Sequence, residues 1–298
     1  MEDPNIIEIG IIGGSGLYDI EELTEGKDLY LDTPFGKPSD SLRIGKISGT
    51  KVAFLARHGK NHSYLPSEVP YKANIWAMKY LGVKWLISAS AVGSLKREIK
   101  PLDVVIPDQF IDRTHERPSS FFGNGSVAHI SLANPFCESL SEIIYNVAFD
   151  LAPNTINIHK GGTYLCMEGP AFSTKAESEF YRLLKCSIIG MTNHTESRLA
   201  REAEIAYSTI AMSTDYDCWH EDHDNVTVEM VVNNLKANAS LAKEIICESI
   251  KKIDKIKPTS IAHSALKDAL LTQKENIPEE TRKKINIFTT KYWGNFNK

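Results

Sequence analysis

Cysteine is scarce in this chain of 298 residues, which contains five, dispersed and without a Cys-x-x-Cys pair. An odd number of separated thiols is typical of a reducing compartment and argues against a disulfide framework or a zinc site. The chain also lacks an apolar run of the roughly 18 residues that span a bilayer. Its acidic N-terminus lacks the basic segment of a signal peptide. We therefore expect a cytoplasmic protein with no metal site and no membrane partner.

An excess of positive charge is absent too. The sequence has 34 Lys and Arg against 38 Asp and Glu, a formal net charge of -4. Nucleic-acid-binding domains usually carry a basic surface, so we expect no nucleic-acid partner. Apolar residues make up 42% of the chain, which is enough to build a sizeable core.

Short apolar runs alternate with longer stretches of helical periodicity, as in strands interleaved with helices. The predicted strands are Glu8–Ile12, Lys51–Ala56, Trp85–Ser90, Asp103–Ile106, Gly162–Cys166, Ser187–Met191 and Ile205–Met212. The predicted helices are Tyr71–Tyr80, Ser139–Ala148, Ala176–Leu184, Glu196–Ala203 and Val228 to about Ile253. The pattern predicts one α/β domain, a central mixed sheet flanked by helices, over 1–254. A C-terminal helical extension, 255–298, is either docked on it or loosely attached.

Small and polar residues follow several predicted strands, where α/β proteins place ligand groups. After the first strand, Gly13-Gly14-Ser15-Gly16 offers N–H groups and the Ser15 hydroxyl to an anion. At the end of the second, Arg57-His58-Gly59 offers a guanidinium fork for a phosphate dianion and His58 as a further donor. After the third, Ser90-Ala91-Val92-Gly93-Ser94 permits close approach of the backbone to a ligand. Each cluster alone is equally compatible with a turn, but together they favour one anion site.

The segment Met191-Thr192 ends another predicted strand and precedes Asn193-His194-Thr195-Glu196. Thr192 is a further candidate hydroxyl donor to the anion. Asn193 followed three residues later by Glu196 has the spacing of a helix capping box. We therefore predict that Asn193 and Glu196 cap the next helix and do not contact a ligand.

Asp215 and Asp217 directly follow the apolar strand Ile205–Met212. On an extended segment, side chains two residues apart point the same way. Adjacent carboxyl groups raise one of the two pKa values, so that one group stays protonated and donates while the other accepts. Solvated loop acids are the ordinary alternative, but the position after a buried strand favours a functional pair. Phe172-Ser173 offers an aromatic face on which a base can stack, although core filling is the commoner role of phenylalanine.

Several segments resemble those of the 5'-methylthioadenosine phosphorylases, a family of the purine nucleoside phosphorylase type. They are Ile9–Leu17, Asp32–Asp40, Arg57–Gly59, Asp108–Thr114, Glu168–Ser173 and Thr214–Trp219. The resemblance runs in order from about residue 8 to about residue 250. It implies the nucleoside phosphorylase fold, a homotrimer with a hexamer as the alternative assembly, inorganic phosphate as co-substrate, and no metal or organic cofactor.

The resemblance also implies roles for individual residues. The implied phosphate-binding residues are Ser15, Arg57, His58, Ser90, Ala91 and Thr192. Met191 would lie against the ribose, and Phe172 would line the base pocket, with Ser173 beside the acids that recognise the base. The wall facing the 5' substituent would consist of Val228, Val231 and Val232. His129 would reach into the site of a neighbouring subunit.

The implied reaction is phosphorolysis of S-methyl-5'-thioadenosine to adenine and 5-methylthio-α-D-ribose 1-phosphate, a step of purine and methionine salvage. The held phosphate would attack an oxocarbenium-like centre. Protonated Asp215 would supply a proton to N7 of the leaving adenine. Asp217 would accept from the 6-amino group, so 6-oxopurines would be rejected. Because the valines leave a 5'-hydroxyl without a partner, adenosine would be a poorer substrate.

The run 193–196 departs from the family, in which a small or apolar residue followed by Pro-Glu usually stands after Met-Thr. It places a titratable group, His194, near the ribose. We predict that the ring points to solvent. A ring that faced the pocket instead would widen the tolerance toward adenosine.

Three other functions fit parts of the sequence. A general purine nucleoside phosphorylase would act on inosine or guanosine, which Asp215 and Asp217 disfavour. A dinucleotide-binding dehydrogenase or regulator would use the early glycines, but their spacing is not G-x-G-x-x-G. A non-catalytic adenosine binder would share the pocket and form no product.

Overall fold

The computed structural model of the protein describes residues 6–14, 22–221 and 227–294. Its strands are β1 (Ile9–Gly13), β2 (Thr24–Leu29), β3 (Leu42–Ile47), β4 (Thr50–Ala56), β5 (Trp85–Ser94), β6 (Val104–Ile106), β7 (Gln109–Arg113), β8 (Ile158–Lys160), β9 (Thr163–Met167), β10 (Ile188–Gly190) and β11 (Ala206–Asp215). Its helices are α1 (Tyr71–Tyr80), α2 (Glu138–Leu151), α3 (Lys175–Leu183), α4 (Asn193–Glu202), α5 (Val228–Ile256) and α6 (Glu279–Trp293). Within these ranges, no helix is long and apolar enough to cross a membrane.

One mixed sheet forms the centre of the fold. Its main path has the order β2-β3-β4-β1-β5-β10-β9-β7, while β11 pairs with β5 and β6, and β6 also pairs with β8. Strands β4, β1, β5 and β11 are parallel neighbours in turn. Their carboxyl ends therefore lie along one edge of the sheet, where ligand sites of α/β proteins form. The predicted single α/β domain with a central mixed sheet is confirmed.

Strand β5 pairs with two later strands that run in opposite directions. Strand β11 runs parallel to β5 and pairs with it along most of β5. Strand β10 runs antiparallel to it and pairs only at its end, with Gly93 and Ser94. This direction carries the chain that follows β10, Met191-Thr192, back over the carboxyl end of β5. The predicted clusters after β4, β5, β10 and β11 thereby converge.

Helices cover both faces of the sheet. On one face, Ile11 of β1 packs in a core with Ile144 of α2 and Ile245 of α5. On the other, Ile12 packs with residues of α1, α4 and α6. Successive residues of β1 therefore serve opposite cores, as the alternation of a strand requires. Because both faces are covered, β1 and β11 are buried along their whole length.

The segment predicted as a C-terminal extension, 255–298, begins in the last turn of α5. The chain then crosses to the opposite face, where Leu266, Ile285 and Phe288 are buried in the core. Glu204, which follows α4, accepts hydrogen bonds from the Tyr292 hydroxyl and from the backbone N–H of Leu266. The segment thus packs into the same core as the rest of the described chain.

We expect Phe288→Ala to lower the free energy of unfolding by about 3–5 kcal/mol, because truncation of a buried phenylalanine removes apolar contact and leaves a cavity. Chemical denaturation followed by circular dichroism measures the change. Lys283→Ala on the same helix is the control, since its exposed ion pair with Glu279 contributes less than about 1 kcal/mol. Equal effects of the two substitutions would contradict a core role for α6.

Candidate active site

A cavity of about 390 Å³ opens at the shared carboxyl edge of the sheet. This volume lies within the range of about 300–1,000 Å³ that is typical of small-molecule sites. The cavity brings together most of the predicted site residues. Those that line it are Arg57, His58, Ser90, Ala91, Phe172, Met191, Thr192, Asp215, Asp217, Val228, Val231 and Val232.

Two predicted site residues, Ser173 and His129, are not part of the cavity lining, and a third cannot be placed. Ser15 falls outside the described residues, although Gly14, the residue before it, lines the cavity. Ser173 stands beside the cavity, where its hydroxyl acts to lower the pKa of Asp217. His129 is exposed and does not line the cavity of its own chain, and its backbone N–H donates to the Ala269 carbonyl at 2.9 Å. Its contact with a neighbouring subunit stays a prediction.

Arg57 is buried and forms a two-point ion pair with Glu196 of α4. Its Nε donates to one carboxylate oxygen, and its Nη2 donates to the other at 3.0 Å. Nη2 also donates to the Ser88 hydroxyl at 2.6 Å, and Nη1 donates to the Ala89 carbonyl at 3.0 Å. A guanidinium has five N–H donors, so among the described residues one N–H, on Nη1, remains for a ligand. Glu196 occupies the fork of Arg57, so only the remaining Nη1 hydrogen is available to a phosphate, and phosphate binding by Arg57 stays a prediction.

The predicted capping box at Asn193 and Glu196 is also wrong. Helix α4 begins at Asn193, so both residues lie inside it, and both are buried against the sheet. The Asn193 amide donates to the Tyr207 hydroxyl at 2.5 Å, and that hydroxyl donates to Glu196 at 2.8 Å. Burial lowers the pKa of Arg57, but the Glu196 carboxylate outweighs it and the net shift is upward. Glu196 therefore holds and neutralises Arg57.

His58 lines the cavity beside Arg57, with its Nδ1 2.9 Å from the Tyr64 carbonyl oxygen. Burial, followed by the charge of Arg57, lowers the pKa of His58 to about 4. The ring is therefore neutral at neutral pH. Because a carbonyl only accepts, the single ring proton lies on Nδ1. In this tautomer Nε2 accepts a hydrogen bond, in contrast to the predicted donation, and phosphate binding by His58 stays a prediction.

Thr192 has the environment of a ligand-binding hydroxyl. Its Oγ1 is buried and has no hydrogen-bond partner among the described residues. Thr192 itself lines the cavity, so its hydroxyl is a candidate donor to a ligand there.

Asp215 is the last residue of β11, and Asp217 lies two positions beyond it. Both are buried. Asp217 has a φ of 50°, and its N–H donates to Oδ1 of Asp215 at 2.8 Å. The predicted extended segment is therefore wrong, since the two acids are brought together by a turn.

The environment keeps Asp215 partly protonated near neutral pH. Burial raises the pKa of Asp215 to about 6, against the hydrogen bonds from the Thr214 hydroxyl and the Asp217 N–H, which lower it. Burial also raises the pKa of Asp217, opposed first by the neighbouring hydroxyl of Ser178. Two acids with raised pKa values in one cavity are suited to proton transfer.

Gly93 makes room for this pair. A Cβ at Gly93 would lie 2.9 Å from Oδ1 of Asp215 and 3.0 Å from the Ile189 side chain. The small residues at the end of β5, predicted to let a ligand approach, also let the Asp215 carboxyl group pack against the sheet.

The ring of His194 is buried, so its predicted exposure to solvent is wrong. It packs edge-on against Phe110, with ring centroids 4.8 Å apart, and its Nδ1 lies 3.3 Å from Oδ1 of Asp112. Burial lowers the pKa of His194 to about 4. The ring does not line the cavity. The alternative of a pocket-facing His194 is therefore wrong as well.

The first turns of α5 supply an apolar wall. Val228, Val231 and Val232 line the cavity, with Leu235 one turn further on. Thr227 caps the helix by accepting from the N–H of Met230. Asn234 donates to the Thr214 carbonyl at 2.6 Å and so ties this wall to the strand that carries the acids.

Comparison with known proteins agrees with this arrangement. The family model described as Phosphorylase superfamily matches residues 8–251. The chain is 58% identical to S-methyl-5'-thioadenosine phosphorylase of Prochlorococcus marinus over 97% of this chain and 92% of that one. Identity to the protein of that name from Thermosynechococcus vestitus is 54%, over 96% and 99% of the two chains.

Solved structures give the same result. A methylthioadenosine phosphorylase from an antarctic soil metagenomic library superposes with a TM-score of 0.91 at 48% identity, over 95% of this chain and 99% of that one. Methylthioadenosine phosphorylase from Schistosoma mansoni in complex with adenine superposes with a TM-score of 0.79 at 34% identity, over 84% and 92%. This chain belongs to the methylthioadenosine phosphorylase family. The resemblance found in the sequence is confirmed.

One residue that supports the site from outside the cavity lining was missed by the sequence motifs. The side chain of Arg117 is buried, and it donates to the Glu168 carboxylate and the Glu168 carbonyl, both at 2.6 Å. It also donates to the Tyr71 hydroxyl at 2.9 Å and to the Met191 carbonyl at 2.8 Å. Arg117 thus joins the loop that carries Phe172 to the segment that carries Met191. It lies between regular elements, so no periodicity marks it.

We expect Arg117→Lys to lower the free energy of unfolding by about 2–4 kcal/mol, because an ammonium cannot reproduce the planar fork and leaves buried acceptors unpaired. Thermal and chemical denaturation measure the loss. Arg43→Lys is the matched control, since its pair with Asp28 is partly exposed and 3.5 Å long. A loss at Arg117 no larger than that at Arg43 would contradict the role of Arg117 as a buried junction.

Proposed function

We propose that this protein catalyses the phosphorolysis of S-methyl-5'-thioadenosine, giving adenine and 5-methylthio-α-D-ribose 1-phosphate. The names of its relatives support this activity. The main supporting observation is that one cavity contains both a cationic side chain suited to an anion and an acidic side chain suited to a purine. Arg57 contacts β5 at Ala89, whereas Asp215 packs against β5 at Gly93. Four residues along a strand span about 13 Å, so an anion and a purine fit at opposite ends, with the sugar between them.

The phosphate end of the cavity consists of Gly14, Arg57, His58, Ser90, Ala91 and Thr192. Ser15 follows Gly14 in the sequence and completes the proposed set. Phosphate held here attacks C1' of the nucleoside from the face opposite the base. Fixing the nucleophile in position converts a bimolecular step into an effectively unimolecular one, which contributes much of the rate. Phosphate is the co-substrate, and the proposed reaction needs no cofactor.

The base end of the cavity consists of Phe172, Ser173, Asp215 and Asp217. Adenine leaves poorly as an anion, so protonated Asp215 donates to N7 as the glycosidic bond breaks. Asp217 accepts a hydrogen bond from the 6-amino group, and Phe172 provides an apolar face for the ring. A 6-oxopurine presents an acceptor to Asp217, and this mismatch disfavours inosine and guanosine.

The middle of the cavity holds the sugar. Met191 lies against the ribose, and the wall of Val228, Val231 and Val232 accepts the methylthio group. In the proposed homotrimer, His129 of each subunit contacts the site of its neighbour. The reaction would serve methionine and purine salvage in the cytoplasm.

The test is to incubate the protein with S-methyl-5'-thioadenosine, with and without phosphate, and to measure adenine by liquid chromatography. We expect adenine to form only with phosphate, together with an equal amount of the sugar phosphate. Adenosine should react more slowly, because its 5'-hydroxyl meets only apolar side chains. Adenine release without phosphate would indicate a hydrolase, and release of base from inosine alone would contradict the proposed specificity.

A further inference from the structure

The phosphate end of the cavity has little net charge. Arg57 carries the only permanent charge among its described residues, and Glu196 neutralises that charge through a buried two-point ion pair. One Nη1 hydrogen of Arg57 remains for a ligand. Thr192 offers an unpartnered hydroxyl, and the Ser90 hydroxyl makes only long contacts of 3.3 and 3.4 Å. Among the described residues, this end therefore offers an anion a few directed hydrogen-bond donors and no unpaired positive charge.

His58 adds an acceptor to these donors. Its Nδ1 proton is used by the Tyr64 carbonyl, so Nε2 of the neutral ring carries a lone pair. Among the described residues, Nε2 has no hydrogen-bond partner, and the ring lines the cavity. Burial and then Arg57 lower the pKa of His58, with contributions of the same sign from His62 and Arg117, against the Tyr64 carbonyl, which raises it. The Nδ1 contact with Tyr64 and this net lowering both favour Nε2 as an acceptor.

We propose that His58 makes the phosphate end selective for a tetrahedral oxyanion that still carries a proton. Hydrogenphosphate donates its P–OH group to Nε2 of His58, while its other oxygens accept from Arg57 and from the hydroxyls of Thr192 and Ser90. The inference rests on the proposed function, because it takes phosphate as the co-substrate of this cavity. In this role, His58 accepts a hydrogen bond from the protonated anion, whereas the sequence predicted that His58 donates a hydrogen bond to a dianion.

Sulfate is the discriminating probe. It has the size and tetrahedral shape of phosphate but carries no proton at neutral pH, so one of its oxygens must face the lone pair of His58. Hydrogenarsenate keeps the proton. A site built around a hydrogen bond rejects an analogue that lacks the donor, and we expect sulfate to bind more than about 100-fold more weakly than phosphate.

The experiment is isothermal titration of the adenine-saturated protein with phosphate, arsenate and sulfate at constant ionic strength and neutral pH. We expect phosphate and arsenate to agree within about threefold, with sulfate more than about 100-fold weaker. Sulfate binding within about threefold of phosphate would overturn the proposal while leaving phosphorolysis intact. Adenine release that needs no phosphate, measured separately, would overturn the proposed function itself.

Two variants separate a specific role of His58 from a loss of packing. In His58→Gln, the side-chain amide offers both a donor and an acceptor, so the preference for phosphate over sulfate should fall below about 10-fold. His62→Gln is the control: its ring stacks on His58 with centroids 4.5 Å apart, and the preference should be kept. Equal loss in both variants would contradict the proposal. Nitrogen-15 spectra of histidine-labelled, phosphate-bound protein report the tautomer directly, and a proton on Nε2 of His58 would also contradict it.

Discussion

Asp215→Asn is expected to lower the rate of adenine release by about 10²- to 10⁴-fold, the usual contribution of a positioned general acid. Asparagine keeps the shape of the carboxyl group. Its oxygen accepts from the Asp217 N–H, and its amide donates to the Thr214 hydroxyl, which turns to accept. It has no acidic proton to give to N7. Activity should therefore be lost without loss of the fold.

The same substitution should stabilise the protein at neutral pH. The pKa of Asp215 is raised from its ordinary 3.8 to about 6, so ionising this group in the folded state costs up to about 3 kcal/mol. Because the folded pKa is raised, Asp215 makes its full contribution to the free energy of unfolding of the wild type below about pH 4. This contribution is lost as pH rises through about 6. Asparagine is neutral throughout and avoids this loss. The variant should gain on the wild type with increasing pH across that window.

Chemical denaturation at acidic and at mildly alkaline pH, alongside the adenine assay, tests both expectations. In the wild type, the protonated form of Asp215 is the donor, so kcat/KM should fall as pH rises through about 6. The fall in kcat/KM with rising pH should be absent from Asp215→Asn. The ratio of inosine turnover to methylthioadenosine turnover should rise in this variant. Asp150→Asn, an exposed acid, is the control. A parallel loss of stability and activity would make Asp215 a structural residue.

Much of the fold could be predicted because the central strands are buried on both faces. Strands β1, β4, β5 and β11 therefore consist of apolar and small residues with almost no charge. Strand β2 was missed because its residues are largely exposed and charged, and β8 because three residues show no period. For α6, the sequence predicted a helical extension but neither its bounds nor its docking, because charged residues dominate and only a few residues of one face are buried.

Part of the site could be predicted because some of its residues follow apolar segments of the sequence. The acids at the end of β11 and Thr192 after β10 are such residues, and their position is a local property of the sequence. The partner of Arg57 is not local, since Glu196 lies 139 residues away. The spacing from Asn193 to Glu196 had a sufficient local explanation as a capping box, and packing of α4 on the sheet overrode it. Contacts of this kind are set by tertiary structure and leave no pattern along the chain.

Glu196→Ala is expected to lower the free energy of unfolding by about 3–5 kcal/mol, because it leaves the buried charge of Arg57 without a counter-ion. Both side chains are only 2% exposed, so water does not replace the lost partner. The hydroxyls of Tyr207 and Ser88 also lose their acceptor. Glu280→Ala is the control, since its side chain is 82% exposed in an ion pair with Lys284. Denaturation at neutral pH measures both variants.

A double variant, Arg57→Met with Glu196→Leu, isolates the interaction. Replacing a buried ion pair by apolar side chains of similar volume is often close to neutral, so the double variant should be more stable than Glu196→Ala by about 2 kcal/mol or more. It should nevertheless bind phosphate at least about 10-fold more weakly, because the Nη1 hydrogen bond is gone. If the double variant were as unstable as the sum of its single variants, Arg57 and Glu196 would act independently. If the double variant instead folds but no longer binds phosphate, Arg57 is the cation that serves function. Glu196 then serves to stabilise Arg57 in the buried interior, where Arg57 alone would be destabilising.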